Sequence, residues 1–128
     1  MVVYLDTNIL IYLLEDNGWR SVQVADTLDA LRYKGGTFVT SVLTLTEFMA
    51  GRAAVAPETL LEISSIRFVG IDTDVAVRAG TLQRTQRLKI GDAVHVAAAE
   101  FMQADKFFTN DKELAAKLPE HIKVMTLE

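Results

Sequence analysis

Four carboxylates along the chain are placed where they could act together. Asp6 and Asp111 each follow a short apolar stretch, Asp92 precedes an alanine-rich segment, and Glu47 lies inside another apolar segment. Carboxylates that are held close together repel one another unless a proton or a cation is present. Hard oxygen ligands of this kind suit Mg²⁺ or Mn²⁺, so the four acids predict a divalent metal site.

The chemistry that such a site supports is phosphodiester hydrolysis. Mg²⁺ and Mn²⁺ keep several waters and can bridge to a substrate phosphate. One ion lowers the pKa of a bound water and so generates the nucleophile, while a second cation or a basic side chain neutralises the leaving oxygen. The residue types therefore favour a metal-dependent phosphotransfer enzyme.

The first segment of the chain predicts the element that carries Asp6. Val2 to Leu5 are β-prone and apolar without alternation, which is typical of a strand buried on both faces of a parallel sheet. The polar triplet Asp6-Thr7-Asn8 then lies at the carboxyl end of that strand. Open α/β sheets bind their ligands at this edge, so Asp6 is placed where a carboxylate can act.

Strands and helices are predicted to alternate along the rest of the chain. Apolar periodicity and turn residues predict helices over residues 9–14, 43–51, 58–66, 75–86 and 93–102, with Asp92 opening the last of these. A further helix contains residues 24–31 and ends at Gly35-Gly36, and a short helix follows Asp111 and ends at Leu118-Pro119. Strands are predicted over residues 37–40, 67–71, 106–109 and 124–127. The predicted class is α/β: one domain over residues 1–128, with a central parallel sheet of four to five strands and helices on both faces.

Helix capping is the alternative interpretation of the aspartates. Aspartate at a strand-to-helix junction accepts hydrogen bonds from the free amides of the first helical turn, and this applies to Asp6, Asp92 and Asp111. Asp72, a fifth candidate on an outer strand, is best interpreted as a cap. Capping does not apply to Glu47, because this residue lies within a predicted helix. A solvent-facing glutamate would more often have a lysine or arginine three or four residues away, and Glu47 has none.

Composition limits the other classes of function. The 128 residues suit one domain, and the absence of cysteine excludes disulfides and thiolate metal sites. We find no secretory signal and no apolar run that could span a bilayer, so a cytoplasmic protein without a membrane partner is expected. The net charge of −4 argues against a nucleic-acid partner, since such proteins usually carry a basic surplus. This argument is weak, because two divalent cations would cancel the charge and thirteen basic residues remain for local patches.

Basic residues close to the acids along the chain are candidates for contact with RNA. Arg84, Arg87 and Lys89 precede Asp92, and Arg52 follows the predicted helix that contains the glutamate. They could form a track for RNA phosphates around the acidic pocket. Solvated helix surface is the alternative interpretation.

Four motifs together carry a family resemblance. Asp6-Thr7-Asn8, Thr40-Ser41 with Thr46-Glu47 downstream, Asp92 to Ala99, and Thr109-Asn110-Asp111 resemble the motifs of PIN-domain ribonucleases. More narrowly, they are similar to the VapC-type toxins of bacterial toxin-antitoxin pairs. The resemblance covers nearly the whole chain, and four motifs in the expected order are far more specific than any one of them.

The resemblance implies both a site and partners. It implies that Mg²⁺ or Mn²⁺ is held by the four acids, Asp6, Glu47, Asp92 and Asp111, which act in catalysis by hydrolysing single-stranded RNA. It also implies supporting contacts to these ligands from Thr7, Asn8, Ser41 and Thr109. The partners implied are the RNA substrate, a second copy of the chain in a homodimer, and a cognate antitoxin protein whose tail enters the groove.

Two further features stay open in the sequence. His95 lies one helical turn after Asp92, so it is either a structural, partly exposed histidine or a substrate contact. Trp19, with Tyr12 and Leu14, could form a dimer or antitoxin patch, or could simply fill the core.

Three rival functions remain for this sequence. A phospho-acceptor signalling domain would have two adjacent acids after its first strand and a lysine at the end of its last strand, whereas here Thr7 follows Asp6 and Lys123 precedes the strand. A non-toxin PIN nuclease of RNA processing and a non-catalytic PIN-fold interaction module are the other two.

Overall fold

Strand β1, Val2–Leu5, is the centre of the sheet in the computed structural model, which describes residues 1–15, 18–51, 56–63 and 65–127. The sheet has five strands in the order β3-β2-β1-β4-β5, and every pair is parallel. The other strands are β2 (Thr37–Ser41), β3 (Ile66–Val69), β4 (Lys106–Phe108) and β5 (Lys123–Met125). The predicted α/β class with a parallel sheet is confirmed.

Helices cover both faces of this sheet. Within the described residues they are α1 (Thr7–Glu15), α2 (Trp19–Tyr33), α3 (Leu43–Gly51), α4 (Pro57–Leu61), α5 (Thr73–Gln86), α6 (Ile90–Phe101) and α7 (Lys112–Ala115). None of these described helices has the length and apolar character needed to cross a bilayer.

The core is divided into two layers by the alternation of side chains along β1. Val3 and Leu5 point to one face and pack with residues of α1 to α4, whereas Tyr4 points to the other face and packs with α5, α6 and α7. All three side chains are fully buried. This explains why β1 shows no polar alternation, because both of its faces lie against helices.

The strand order creates a crevice at the carboxyl edge of the sheet. The chain runs from β1 outward through β2 to β3, then crosses back to β4 on the other side of β1 and ends at β5. The connections that leave β1 and β4 therefore diverge. In open α/β sheets, ligands bind at such a switch point, and this is where Asp6 and Asp111 lie.

Most predicted elements differ from the structure by a residue or more at one end, and two of these differences are informative. Helix α6 begins at Ile90 with Lys89 at its N-cap, so Asp92 lies in the first turn and does not open the helix. An acid there still interacts favourably with the helix dipole. Helix α4 ends at Leu61 and Ile66 begins β3, because a single apolar residue at the end of a short segment fits either a helix or a strand by periodicity.

Candidate metal centre

Asp6 is the most enclosed of the four acids, with 5% of the residue exposed. Its Oδ1 accepts a hydrogen bond from the Thr7 amide at 2.9 Å. Its Oδ2 accepts from the Thr109 hydroxyl at 2.7 Å and from the Asn8 side-chain amide at 3.3 Å. Burial raises the pKa of the Asp6 carboxyl, although the hydrogen bonds from Thr109 and the Thr7 amide act in the opposite direction.

Glu47 reaches the same edge from α3. Its Oε1 accepts from the Thr7 hydroxyl at 2.7 Å and lies 2.5 Å from His95 Nε2. The hydrogen bond with His95 is the main cause that lowers the pKa of Glu47. The side chain is 41% exposed, so this carboxylate is anchored on one oxygen and open to solvent elsewhere.

Asp92 and Asp111 complete the acidic edge. Asp92 is half-buried, and its pKa is raised first by desolvation and then by the negative charges of Asp6 and Asp111. Asp111 caps α7, because its Oδ1 accepts from the Leu114 amide at 3.1 Å. Capping is therefore real for Asp111, as it is for Asp72, whose Oδ1 accepts from the Val75 amide at the start of α5.

The hydroxyl of Thr109 connects two of the acids. It donates to Asp6 and accepts from the Asp111 amide at 3.0 Å. Asn8 strengthens the connection, because its Oδ1 accepts from the Asn110 amide at 3.2 Å. These contacts hold the end of β1 against the end of β4.

The Ser41 hydroxyl has a different role from the one that the resemblance implies. Ser41 Oγ accepts from the Leu43 amide at 3.2 Å, so it stabilises the start of α3. Among the described residues it has no hydrogen bond to any of the four carboxylates. The hydroxyl nearest to Glu47 is instead that of Thr7, which Thr44 contacts at 3.2 Å. Ser41 therefore supports the site through the helix that carries Glu47.

Some of the predicted basic residues lie beside the acids. Arg87 and Lys89 line a pocket of about 220 Å³ together with Asp92, and Lys117 from beyond α7 lines it as well. Arg84 lies in the last turn of α5 and is not part of this lining. Arg52 lies outside the described residues.

Two residues of the site were not predicted to support the four acids: His95, whose role the sequence left open, and Tyr4. His95 is 1% exposed, and its ring joins Tyr4 on one side to Glu47 on the other. The one-turn spacing from Asp92 predicts that the two share a helix face. Nothing in the sequence marks Tyr4, because it lies in an apolar strand where an aromatic residue is typical of the core.

The acidic edge fits a divalent cation in its donor chemistry. Oxygen ligands are what Mg²⁺ and Mn²⁺ prefer, and the raised pKa values of Asp6 and Asp92 reflect burial and, for Asp92, like charges that a cation would offset. In the described part of the chain, no three acidic, histidine or cysteine side chains stand close enough to form a ready-made site.

Comparison with known proteins assigns the class. The sequence matches the PIN domain family over residues 3–118, and the chain belongs to that family. No curated protein sequence matches it.

Solved structures share the whole fold. A toxin-antitoxin complex from Klebsiella pneumoniae is 26% identical over 94% of each chain, with a TM-score of 0.71. VapBC2 from Rickettsia felis, bound to a DNA fragment from their promoter, has a TM-score of 0.78 at 18% identity over 100% of both chains. The Mycobacterium tuberculosis VapC20, a sarcin-ricin loop cleaving toxin, has a TM-score of 0.66 at 19% identity, covering 89% of this chain and 93% of that one. These structures therefore share the PIN-domain fold of this chain.

Proposed function

We propose that this chain is a metal-dependent endoribonuclease that cleaves single-stranded RNA. The observation that carries the proposal is that carboxylates from separate parts of the chain lie near one sheet edge: Glu47 accepts from Thr7, which follows Asp6, and burial, followed by the charges of Asp6 and Asp111, raises the pKa of Asp92. A set of acids with this mutual repulsion is explained by a bound cation. Membership of the PIN domain family and the resemblance to VapC20 support RNA as the substrate.

Asp6, Glu47, Asp92 and Asp111 would hold Mg²⁺ or Mn²⁺. When bound, the ion would lower the pKa of water and polarise the scissile phosphate. The surrounding residues fix the ligands: Thr109 and Asn8 hold Asp6, and Thr7 holds Glu47. Three of the four acids accept hydrogen bonds from neutral donors, which orient the carboxylates without neutralising them.

The test is cleavage of a single-stranded RNA by the purified protein with and without chelator. We expect EDTA to stop cleavage and excess Mg²⁺ or Mn²⁺ to restore it, because the acids cannot activate water without the cation. The products should carry 5′-phosphates. Cleavage that continues unchanged in EDTA would refute the metal mechanism, and no cleavage of any RNA with either metal would favour a non-catalytic PIN-fold module.

We propose that the pocket next to Asp92 binds a phosphate of the RNA. Arg87, Lys89 and Lys117 contribute three positive charges to its lining, against the two carboxylates of Asp92 and Glu113. Phosphate contacts by such residues release counterions from the RNA, so their contribution weakens with salt.

Replacing both Arg87 and Lys89 with alanine tests this pocket. For a single strand, we expect the slope of log affinity against log salt to decrease by about 0.7 for each phosphate that the variant no longer neutralises. Fluorescence anisotropy in EDTA, where the RNA stays intact, measures it. The matched control is Lys34→Ala with Lys123→Ala, which removes the same charge at the opposite edge of the sheet. Equal slopes for the two double variants would show that the pocket does not bind a phosphate of the RNA.

We further propose that the protein is the toxin of a toxin-antitoxin pair, acts in the cytoplasm and forms a homodimer that a cognate antitoxin inhibits. The likeness to the Klebsiella pneumoniae toxin-antitoxin complex supports this. Expression of the chain in bacteria should arrest growth, and expression of a small DNA-binding protein from the adjacent reading frame should relieve the arrest. Unaffected growth in the presence of active enzyme would favour a nuclease of RNA processing.

A further inference from the structure

His95 lies between the hydrophobic core and the acidic edge. It extends from α6 and is 1% exposed, and both of its ring nitrogens have polar partners. Nδ1 lies 2.6 Å from the Tyr4 hydroxyl, and Nε2 lies 2.5 Å from Glu47 Oε1. Three separate elements, β1, α6 and α3, are therefore linked through one imidazole ring.

The hydrogen-bond network assigns the tautomer of His95. Glu47 Oε1 is a carboxylate oxygen, which only accepts, so the ring hydrogen lies on Nε2 and is donated to Glu47. Nδ1 of the neutral ring then accepts from the Tyr4 hydroxyl, whose oxygen accepts from the Ser41 amide at 3.2 Å. Burial raises the pKa of Tyr4, so the phenol keeps its hydrogen.

Two donors then act on the same oxygen of Glu47. His95 Nε2 and Thr7 Oγ1 both donate to Oε1, which fixes the rotation of the carboxylate. The other oxygen, Oε2, faces Gly91, where an added Cβ would stand only 3.2 Å away. The absence of a side chain at Gly91 leaves space for Oε2 in the first turn of α6.

We propose that His95 is a positioning residue: oriented by Tyr4, it holds Oε1 of Glu47 so that Oε2 is presented to the cation. This role rests on the proposed metal-dependent function. The histidine acts through Glu47 and does not itself contact RNA or the ion. Hydrogen bonds that orient a metal-binding carboxylate typically change metal affinity or activity by about 10- to 100-fold when they are removed.

A pair of substitutions separates positioning from simple packing. In His95→Gln the side-chain amide can reach Glu47 in place of Nε2, whereas in His95→Asn the shorter amide cannot. We measure Mn²⁺ affinity of the folded, RNA-free variants by calorimetry. His95→Asn should weaken Mn²⁺ binding by roughly 10-fold or more, and His95→Gln should recover most of that loss.

A double-variant cycle assigns the effect to Glu47. If His95 acts through that carboxylate, His95→Asn should have little further effect on Mn²⁺ affinity in a Glu47→Gln background. A histidine that only filled space would lower the thermal midpoint of the folded variants and leave their Mn²⁺ affinity unchanged.

Nitrogen-15 NMR of the metal-free wild type provides a readout that needs no variant. The spectrum should show His95 with its hydrogen on Nε2 and a bare Nδ1, and Tyr4→Phe should shift the tautomer equilibrium. A hydrogen on Nδ1 in the wild type, or equal Mn²⁺ affinity in wild type and His95→Asn, would overturn the positioning role alone. Wild-type protein that binds no Mn²⁺ would overturn the proposed metal function, and the positioning role with it.

Discussion

Asp6→Asn is expected to lower the rate of RNA cleavage by roughly 1,000-fold, which corresponds to about 4 kcal/mol of transition-state stabilisation. Asp6 is the central acid, since it follows the central strand and its charge affects Asp92. Asparagine keeps the shape of the side chain and removes its charge, so the loss reports on metal binding. Single-turnover cleavage in excess Mg²⁺ measures it.

Asp72→Asn is the matched control for this variant. Asp72 also follows a strand at the same edge of the sheet, but β3 is an outer strand, and the side chain caps α5. Asparagine is an equally good cap, so neither activity nor stability should change appreciably. Equal activity of Asp6→Asn and wild type would rule out a catalytic role for the acidic edge.

Asp6→Asn should preserve or increase the free energy of unfolding when no metal is present. Because the native state raises the pKa of Asp6, it binds the proton more tightly than the unfolded chain does. The contribution of Asp6 to the free energy of unfolding is therefore largest below its ordinary pKa of 3.8, and it is lost as the pH rises through the native pKa. In EDTA, wild type should lose more stability than Asp6→Asn as the pH rises above 3.8, as measured by urea unfolding. A marked destabilisation by Asp6→Asn would indicate that the hydrogen bonds to the Asp6 carboxylate stabilise the fold by more than the burial of its charge costs.

Phe107→Ala is expected to lower the free energy of unfolding by about 3–5 kcal/mol. Phe107 lies in β4 next to the central strand and is fully buried. Its ring stacks on that of Tyr4, with centroids 5.1 Å apart and an interplanar angle of 13°. Truncation would leave a cavity directly beneath the residue that orients His95.

Phe101→Ala is the matched control, because that phenylalanine is 50% exposed at the end of α6. It should change stability by less than about 0.5 kcal/mol. Chemical denaturation of the metal-free proteins compares the two variants directly. A loss of less than about 1 kcal/mol for Phe107→Ala would mean that the core beneath Tyr4 collapses readily to fill the space.

The sequence predicts the sheet and its acidic edge well because both depend on local patterns. The unbroken apolar run of β1 indicates a strand with two covered faces, and a polar residue that follows a parallel strand must lie at its carboxyl edge. Asp6 and Asp111 follow from this rule. The alanines of α6 indicate close packing, and five residues of this helix from Ala93 to Ala99 are indeed buried apolar side chains.

Contacts between distant segments could not be predicted in the same way. The pairing of Tyr4 with His95 depends on how α6 lies across the sheet, and no local pattern encodes that placement. The start of α6 differs from the prediction for a related reason: Asp92 is a good cap, but Lys89 precedes the first helical residue, and position in the tertiary fold outweighs capping preference. The role of Ser41 also differs from the prediction, because its hydroxyl accepts from the amide of Leu43 at the start of α3 and does not contact a carboxylate among the described residues.

The central position of β1 has a consequence for protein synthesis. Thr109, which hydrogen bonds to Asp6, lies 103 residues further along the chain, and Asp111 follows it. A nascent polypeptide on the ribosome therefore lacks a partner strand for one side of β1 and the last of the four acids until residues 106–111 have been synthesised. If the acids form the catalytic centre, each new molecule remains inactive until that segment has joined the growing chain.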